Sequence, residues 1–148
     1  MLNVGLAIRS LLQFRTLWYL LPSYLFNVIC SILLNVLVFE PCGITKELSN
    51  EKLFRPLKEM LYHPFVSPLV HSTLFLLLSN AVFGESVVRS WSVAAAIQFS
   101  ALVWACTSLH GIWLDYTTFK ISAKVFVCFL VGSFVSSLVT GYCLASFY

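Results

Sequence analysis

The sequence predicts an all-α, polytopic transmembrane protein of about four spans joined by short connectors, and three observations lead there. Hydrophobic residues make up 59% of the 148 residues and charged residues only 10%, where an ordinary soluble domain carries about 25% charged residues. Four apolar segments, 17–39, 65–83, 91–114 and 125–148, contain no Asp, Glu, Lys or Arg. A helix rises about 1.5 Å per residue, so roughly 20 residues cross a hydrocarbon core of about 30 Å, and each segment is near that length. A water-soluble fold of this size has no way to cover so much apolar surface. The reading is therefore a single membrane domain over 1–148.

The chain opens with a basic, acid-poor stretch, 1–16. Arg9, Ser10, Gln13 and Thr16 gather with Asn3 on one side of a helix, and no acidic residue occurs before Glu40. Two readings fit this start. It has the character of a mitochondrial address, and it is equally an interfacial helix leading into the first span.

The connector over 40–61 is the one sizeable polar stretch. Glu40, Glu47, Glu51 and Glu59 stand against Lys46, Lys52, Arg55 and Lys58, and Pro41 with Gly43 breaks the first helix. Ser49, Asn50 and Glu51 are placed to cap a short surface helix over 52–60, with Pro56 near its start. The second connector, 84–90, carries Glu85 and Arg89, and the third, 115–124, carries Lys120 and Lys124. With four spans, Arg9, Arg15 and Arg89 share one side, while Lys46, Lys52, Arg55, Lys58, Lys120 and Lys124 share the other. The more basic side is expected to face the cytoplasm or its equivalent, the matrix in a mitochondrion.

Small residues mark packing faces. Gly132, Ser136 and Thr140 recur every four residues in the fourth span, with Ser133, Ser137 and Gly141 beside them; Ala94, Ala95, Ala96, Ser100, Ala101 and Ala105 line the third. Such spacing lets helix backbones approach closely in lipid. The neighbours are either each other or another subunit. With so little mass outside the membrane, a subunit of a larger assembly is favoured.

Five cysteines, Cys30, Cys42, Cys106, Cys128 and Cys143, show no CxxC spacing and no Cys/His metal pattern. Four lie in apolar segments, where Cys behaves as a small apolar residue. The net charge of +3 comes from scattered basic residues and gives no nucleic-acid surface. A channel or transporter is also poorly served, because no span carries a chain of ionisable groups.

A few polar residues remain as candidates. His71 lies inside the second span; it is a functional candidate or a histidine satisfied by a backbone carbonyl or by Ser67 one turn earlier. Asn80, nine residues later, lies about half a turn round the helix from it and forms no pair with it. His110, one turn after Cys106, suits an axial heme ligand or an unliganded interface histidine. Asp115 and Tyr116 close the third span beside Trp113. A Tyr hydroxyl can donate a hydrogen bond to a quinone carbonyl and a carboxylate can orient it; the same residues also read as an aromatic belt with snorkelling lysines.

The run Ser108-Leu109-His110-Gly111-Ile112-Trp113-Leu114-Asp115-Tyr116, then Lys124 and a last helix through Gly141-Tyr142-Cys143, resembles the small membrane-anchor subunit of succinate dehydrogenase, respiratory complex II. In that family a helix ends in an Asp-Tyr pair on the matrix side and the Tyr contacts ubiquinone. The resemblance implies a subunit of the mitochondrial inner membrane that does no chemistry alone. It would hold a soluble electron-transfer module on the respiratory chain and contribute Asp115, Tyr116, Trp113 and His110 to a ubiquinone pocket. The family has three spans, whereas this chain has a further one at its start. The family's heme histidine falls here near Trp104, so heme b is not supported through this chain.

A second resemblance competes. Leu53-Phe54-Arg55-Pro56, Leu61-Tyr62-His63, His71-Ser72-Thr73-Leu74-Phe75 and Phe83-Gly84-Glu85 look like the early part of rhomboid-type membrane proteins. The Gly-x-Ser-Gly nucleophile motif is absent, so this kinship implies an inactive, partner-binding relative. The alternative function is accordingly a non-catalytic scaffold, either rhomboid-like or an accessory subunit of an assembly such as ATP synthase or another respiratory complex.

Overall fold

A computed structural model describes residues 14–48, 63–118 and 121–148; side chains are described from Thr16 in the first stretch and from Phe65 in the second. The first thirteen residues and the surface helix expected over 52–60 lie outside the described residues. All the described elements are helical. In chain order they are α1 (Phe14–Leu34), α2 (Ile44–Leu48), α3 (His63–Phe83), α4 (Glu85–Arg89), α5 (Val93–Trp104), α6 (His110–Thr118) and α7 (Ala123–Phe147). A wide π turn, Asn35–Phe39, extends α1, and a second, Ala105–Leu109, joins α5 to α6 without a break.

Four helices are long and apolar enough to cross a membrane: Thr16–Phe39, Phe65–Phe83, Val93–Thr118 and Ala123–Phe147. The protein is thus an all-α, multi-pass membrane protein. The third span runs past its expected end at Leu114 through Asp115 and Tyr116 to Thr118. Gly84 stops α3 because its φ of +84° suits a residue without a Cβ. Ser92 and Ser122 start α5 and α7 by accepting from the backbone N–H of Ala95 (3.2 Å) and Val125 (3.4 Å).

Polarity is inverted relative to a soluble bundle. On α1, Leu17, Trp18, Leu21, Leu25, Phe26 and Ile29 point outward, while Thr16, Ser23 and Asn27 are fully buried. Water would reverse that arrangement. Lipid permits it, because large apolar side chains cost nothing against acyl chains, whereas polar groups must find partners inside the protein.

Those partners form one network across three helices. Tyr19 Oη donates to the Ser72 carbonyl at 3.2 Å, and the Ser23 and Ser72 hydroxyls lie 2.7 Å apart. Asn27 Nδ2 donates to the Ser23 carbonyl (2.9 Å) and to Thr140 Oγ1 (3.0 Å), and its Oδ1 accepts from Ser136 Oγ (2.7 Å). Each polar atom of the Asn27 side chain is thereby engaged. α1 is tied to α3 on one side and to α7 on the other.

α7 is the central helix, with its most extensive contacts to α5 and α1. The two small-residue stripes foreseen on it serve different neighbours. Ser136 and Thr140 face α1 through Asn27. Ser133 accepts the Trp104 indole N–H at 2.8 Å, and Gly141 meets α5 so closely that an added Cβ would lie 1.9 Å from Ser100 Oγ and 2.8 Å from the Ala96 carbonyl oxygen. The stripes therefore pack within the chain.

α3 and α5 meet through rings. Phe75 and Phe83 of α3 contact Phe99 at centroid distances of 5.4 and 5.3 Å, and Trp91 lies 5.2 Å from Phe83 and 5.0 Å from Phe99. Apolar clusters close both ends of the bundle. At the α4 end, Tyr19, Phe75, Leu76, Val88, Cys143 and Leu144 pack together, and at the α2 end Ile44, Ile121, Val125 and Cys128 do so. Polar ties fix each end. Asn80 Nδ2 donates to Tyr148 Oη (2.9 Å), and Arg89, paired with Glu85, lies 5.4 Å over the Tyr148 ring. At the other end Glu47 accepts from the Ser122 backbone N–H (3.0 Å) and from its hydroxyl (2.7 Å). The connector holding α4 and residue 148 thus share one side, and α2 and the start of α7 share the other, as four spans require.

Two substitutions test this packing. Gly141→Leu should push α5 from α7 and cost about 1–3 kcal/mol, the usual penalty for overpacking, read as an earlier midpoint in detergent-induced unfolding monitored by tryptophan fluorescence. Asn27→Leu should cost about 1–2 kcal/mol in the same assay. A midpoint unchanged in both variants would contradict the described interior.

Candidate functional site

The predicted site residues lie on the outer half of the third span. Trp104 anchors that helix at one point: its indole is bonded to Ser133 and its ring stands edge-on to Phe134 at 4.8 Å. Immediately beyond it comes the π turn, Ala105–Leu109. One extra residue in a helical turn rotates the remainder of the helix by roughly 100°. That rotation brings Tyr116 toward α7, where its ring lies 4.5 Å from Phe126, while Trp113 lies 6.0 Å from Phe126 and 6.1 Å from Tyr116. The result is a three-ring cluster at the α2 end of the bundle.

Along the outer side of this segment runs an open groove of about 360 Å³, lined by Ala105, Leu109, His110 and Trp113. Ala105 is the smallest of the four lining residues. His110 is exposed, and Trp113 remains 53% exposed. Two of the four predicted residues, His110 and Trp113, therefore share one concavity. Tyr116 adjoins it through the Trp113 ring. Asp115 is exposed on the helix surface and makes no hydrogen bond to Tyr116 among the described residues. Orientation of the Tyr116 hydroxyl comes from ring packing on Phe126 instead. Among the described residues no group of three or more His, Cys, Asp or Glu is placed to hold a metal ion.

His71 is not the satisfied histidine that was one of its two readings. Ser67 is exposed, and no bond joins it to the imidazole. The ring stacks on Phe75 at 6.4 Å, and Nε2 is buried without a hydrogen-bond partner among the described residues. It stands on the α3 face toward α5, apart from the groove residues. Asn80 is turned the other way, to Tyr148, as the half-turn offset predicts.

Sequence reasoning passed over the residue that organises the interior. Asn27 sits in a charge-free span and drew no notice. The signal was present, since Tyr19, Ser23 and Asn27 recur every four residues and so line one helix face. Gln98 was likewise missed: it lies one-fifth of the way along the third span, exposed on the lipid-facing surface.

Compared with family models, with curated proteins and with solved structures, the chain finds no match. Neither resemblance drawn from the residues gains or loses by this. The rhomboid-like run Leu53–Tyr62 lies outside the described residues.

The geometry has a simple check. In detergent, a neutral maleimide should modify Cys106 and Cys42, which are exposed, and leave Cys128 and Cys143, which are buried. Equal labelling of Cys143 and Cys106, read by peptide mass spectrometry, would mean that the third and fourth spans are not packed as described.

Proposed function

We propose that the chain is a non-catalytic, multi-pass subunit of a membrane assembly that lends one wall to a site for an apolar, carbonyl-bearing ligand of the quinone type. The observation that carries this reading is the groove beside His110 and Trp113. It is open to the lipid phase, where quinones dissolve. Its apolar wall, Ala105 and Leu109, suits a ring or an isoprenoid tail. An imidazole and an indole supply hydrogen-bonding groups beside it. Sites for small ligands commonly combine this apolar lining with a few polar groups.

The sharpest form is the anchor of respiratory complex II in the mitochondrial inner membrane. It is supported by the Asp115-Tyr116 pair, by the basic and acid-poor start, and by the greater number of basic residues on the side that carries α2. On this reading that side faces the matrix and docks a soluble flavoprotein and iron–sulfur module. Tyr116, adjoining the groove, donates its hydroxyl to a quinone carbonyl. One open side of the groove implies that another surface completes the pocket, as befits a subunit.

The test uses the chain in its native membrane. Tyr116→Phe should impair quinone reduction while the assembly stays intact. Ala105→Phe, which fills the groove, should raise the KM for quinone severalfold. Mass spectrometry of co-purifying proteins should find flavoprotein and iron–sulfur partners. Normal quinone kinetics in both variants would remove the ligand reading. ATP synthase or translocase subunits among the partners would replace the complex II form by the scaffold reading.

A further inference from the structure

Two of the five cysteines, Cys42 and Cys128, come together at the α2 end of the bundle. α1 and α7 run antiparallel, so a step along one is matched by a step back along the other. Two contacts fix that register on either side of the pair. At Gly132 an added Cβ would meet the Phe39 ring at 3.7 Å. Farther out, the Glu47 carboxylate accepts from the Ser122 backbone N–H at 3.0 Å and from its hydroxyl at 2.7 Å. Cys42 comes three residues after Phe39, and Cys128 four before Gly132. Glu47 comes five residues after Cys42, and Ser122 six before Cys128. The steps match, so Cys42 and Cys128 stand at the same level.

They also share a face. The Cys42 backbone N–H donates to the Val38 carbonyl at 3.1 Å, so one helical turn separates the two residues and their side chains lie on one side. Val38 and Phe39 pack against the cluster in which Cys128 meets Ile44, Ile121 and Val125. The chain just before Cys42 and just after it therefore closes round the Cys128 thiol. A charge on the Cys42 sulfur is felt at Cys128. The two thiols differ in access: Cys42 is exposed, three residues beyond the end of the first span, whereas Cys128 is buried. Cys30 and Cys143 are not matched in this way. They lie three residues past Asn27 and Thr140 in opposite directions, about 9 Å apart along the axes at 1.5 Å per residue.

We propose that Cys42 and Cys128 are a thiol-oxidation site, closing reversibly into a disulfide when a small soluble disulfide of the glutathione class reaches Cys42. A protein disulfide needs Cα atoms within about 7 Å and side chains turned toward each other; the matched level and shared face meet that need. The exposed thiol reacts first. Cys42 loses its proton, and its thiolate attacks one sulfur of the small disulfide. That S–S bond breaks, a mixed disulfide forms and one small thiolate leaves. Cys128 then loses its proton, attacks the Cys42 sulfur and displaces the second small thiolate. The two protons end on the two released thiolates. Two protein thiols are oxidised, and one small disulfide is reduced to two thiols. The new bond ties the connector after the first span to the fourth span, beside the Glu47–Ser122 contact, and encloses the second and third spans in one covalent loop. It stands independently of the ligand reading, since neither thiol lines the groove.

The experiment treats the full wild-type chain, in detergent micelles and without quinone, with oxidised glutathione. Remaining thiols are blocked with maleimide in denaturant, and the digested peptides are read by mass spectrometry. A Cys42–Cys128 peptide should become the main disulfide within the chain and disappear when excess reduced glutathione is added. Cys128→Ser should leave Cys42 as a mixed disulfide with glutathione. In a Cys42→Ser background, Glu40→Cys places an exposed thiol in the same turn but about 200° round it, at 100° per residue. That variant should lose most of the link. A wild-type Cys42 that stays reduced, or that halts at the mixed disulfide, overturns the proposal. So does a link made chiefly to Cys30, Cys106 or another copy of the chain. A yield no higher in the folded chain than in chain oxidised in denaturant, or an equal yield from position 40, overturns it as well. None of these outcomes bears on quinone kinetics in the Tyr116→Phe and Ala105→Phe variants, so the two readings fail separately.

Discussion

Hydrocarbon offers a polar group nothing to bond with, and the architecture is arranged around that deficit. Asn27 is the clearest case. A carboxamide at the middle of a span must place two donors and an acceptor. It does so with the Ser23 carbonyl, Thr140 and Ser136, which belong to two different helices. Burial of apolar area cannot hold these helices together, because lipid tails are as apolar as leucine. Hydrogen bonds and close backbone contact take its place. The network sets the register of α1 against α3 and α7, and Gly141 sets how near α5 can come.

The membrane class was legible at once, because charge-free segments of span length are hard to read otherwise. Span boundaries were legible to within a few residues wherever Gly84, Ser92 or Ser122 punctuated them. The stripes on α7 were legible as packing faces, but their partners were not. Spacing states that a helix wants a close neighbour and does not say which one. The outcome turned on Asn27 and Trp104, whose side chains choose Ser136 with Thr140 and Ser133 respectively. Neither choice is visible from one helix alone.

The candidate site was legible as a set of residue types and not as a geometry. Asp115 and Tyr116 are adjacent in sequence, so they point in different directions on a helix. The pairing of a carboxylate with the phenol does not form, and ring packing on Phe126 takes over the orienting role. His110 and Trp113, three residues apart, do converge. The wide turn at Ala105–Leu109 decides this arrangement, and no residue type in that stretch announces it. Such turns are recognised in a structure and seldom in a sequence.

The tie between Asn27 and Thr140 joins positions 113 residues apart. Ribosomes deliver the amino-terminal helix first, so α1 enters the bilayer long before its partner has been made. Until then the Ser23 carbonyl occupies one Asn27 donor, and the second donor and the acceptor have no counterpart on α1. A chain arrested or truncated ahead of Ser136 would keep that bare amide in the lipid. The last helix therefore supplies what the first one lacks, and the interior around Asn27 closes only when both are present.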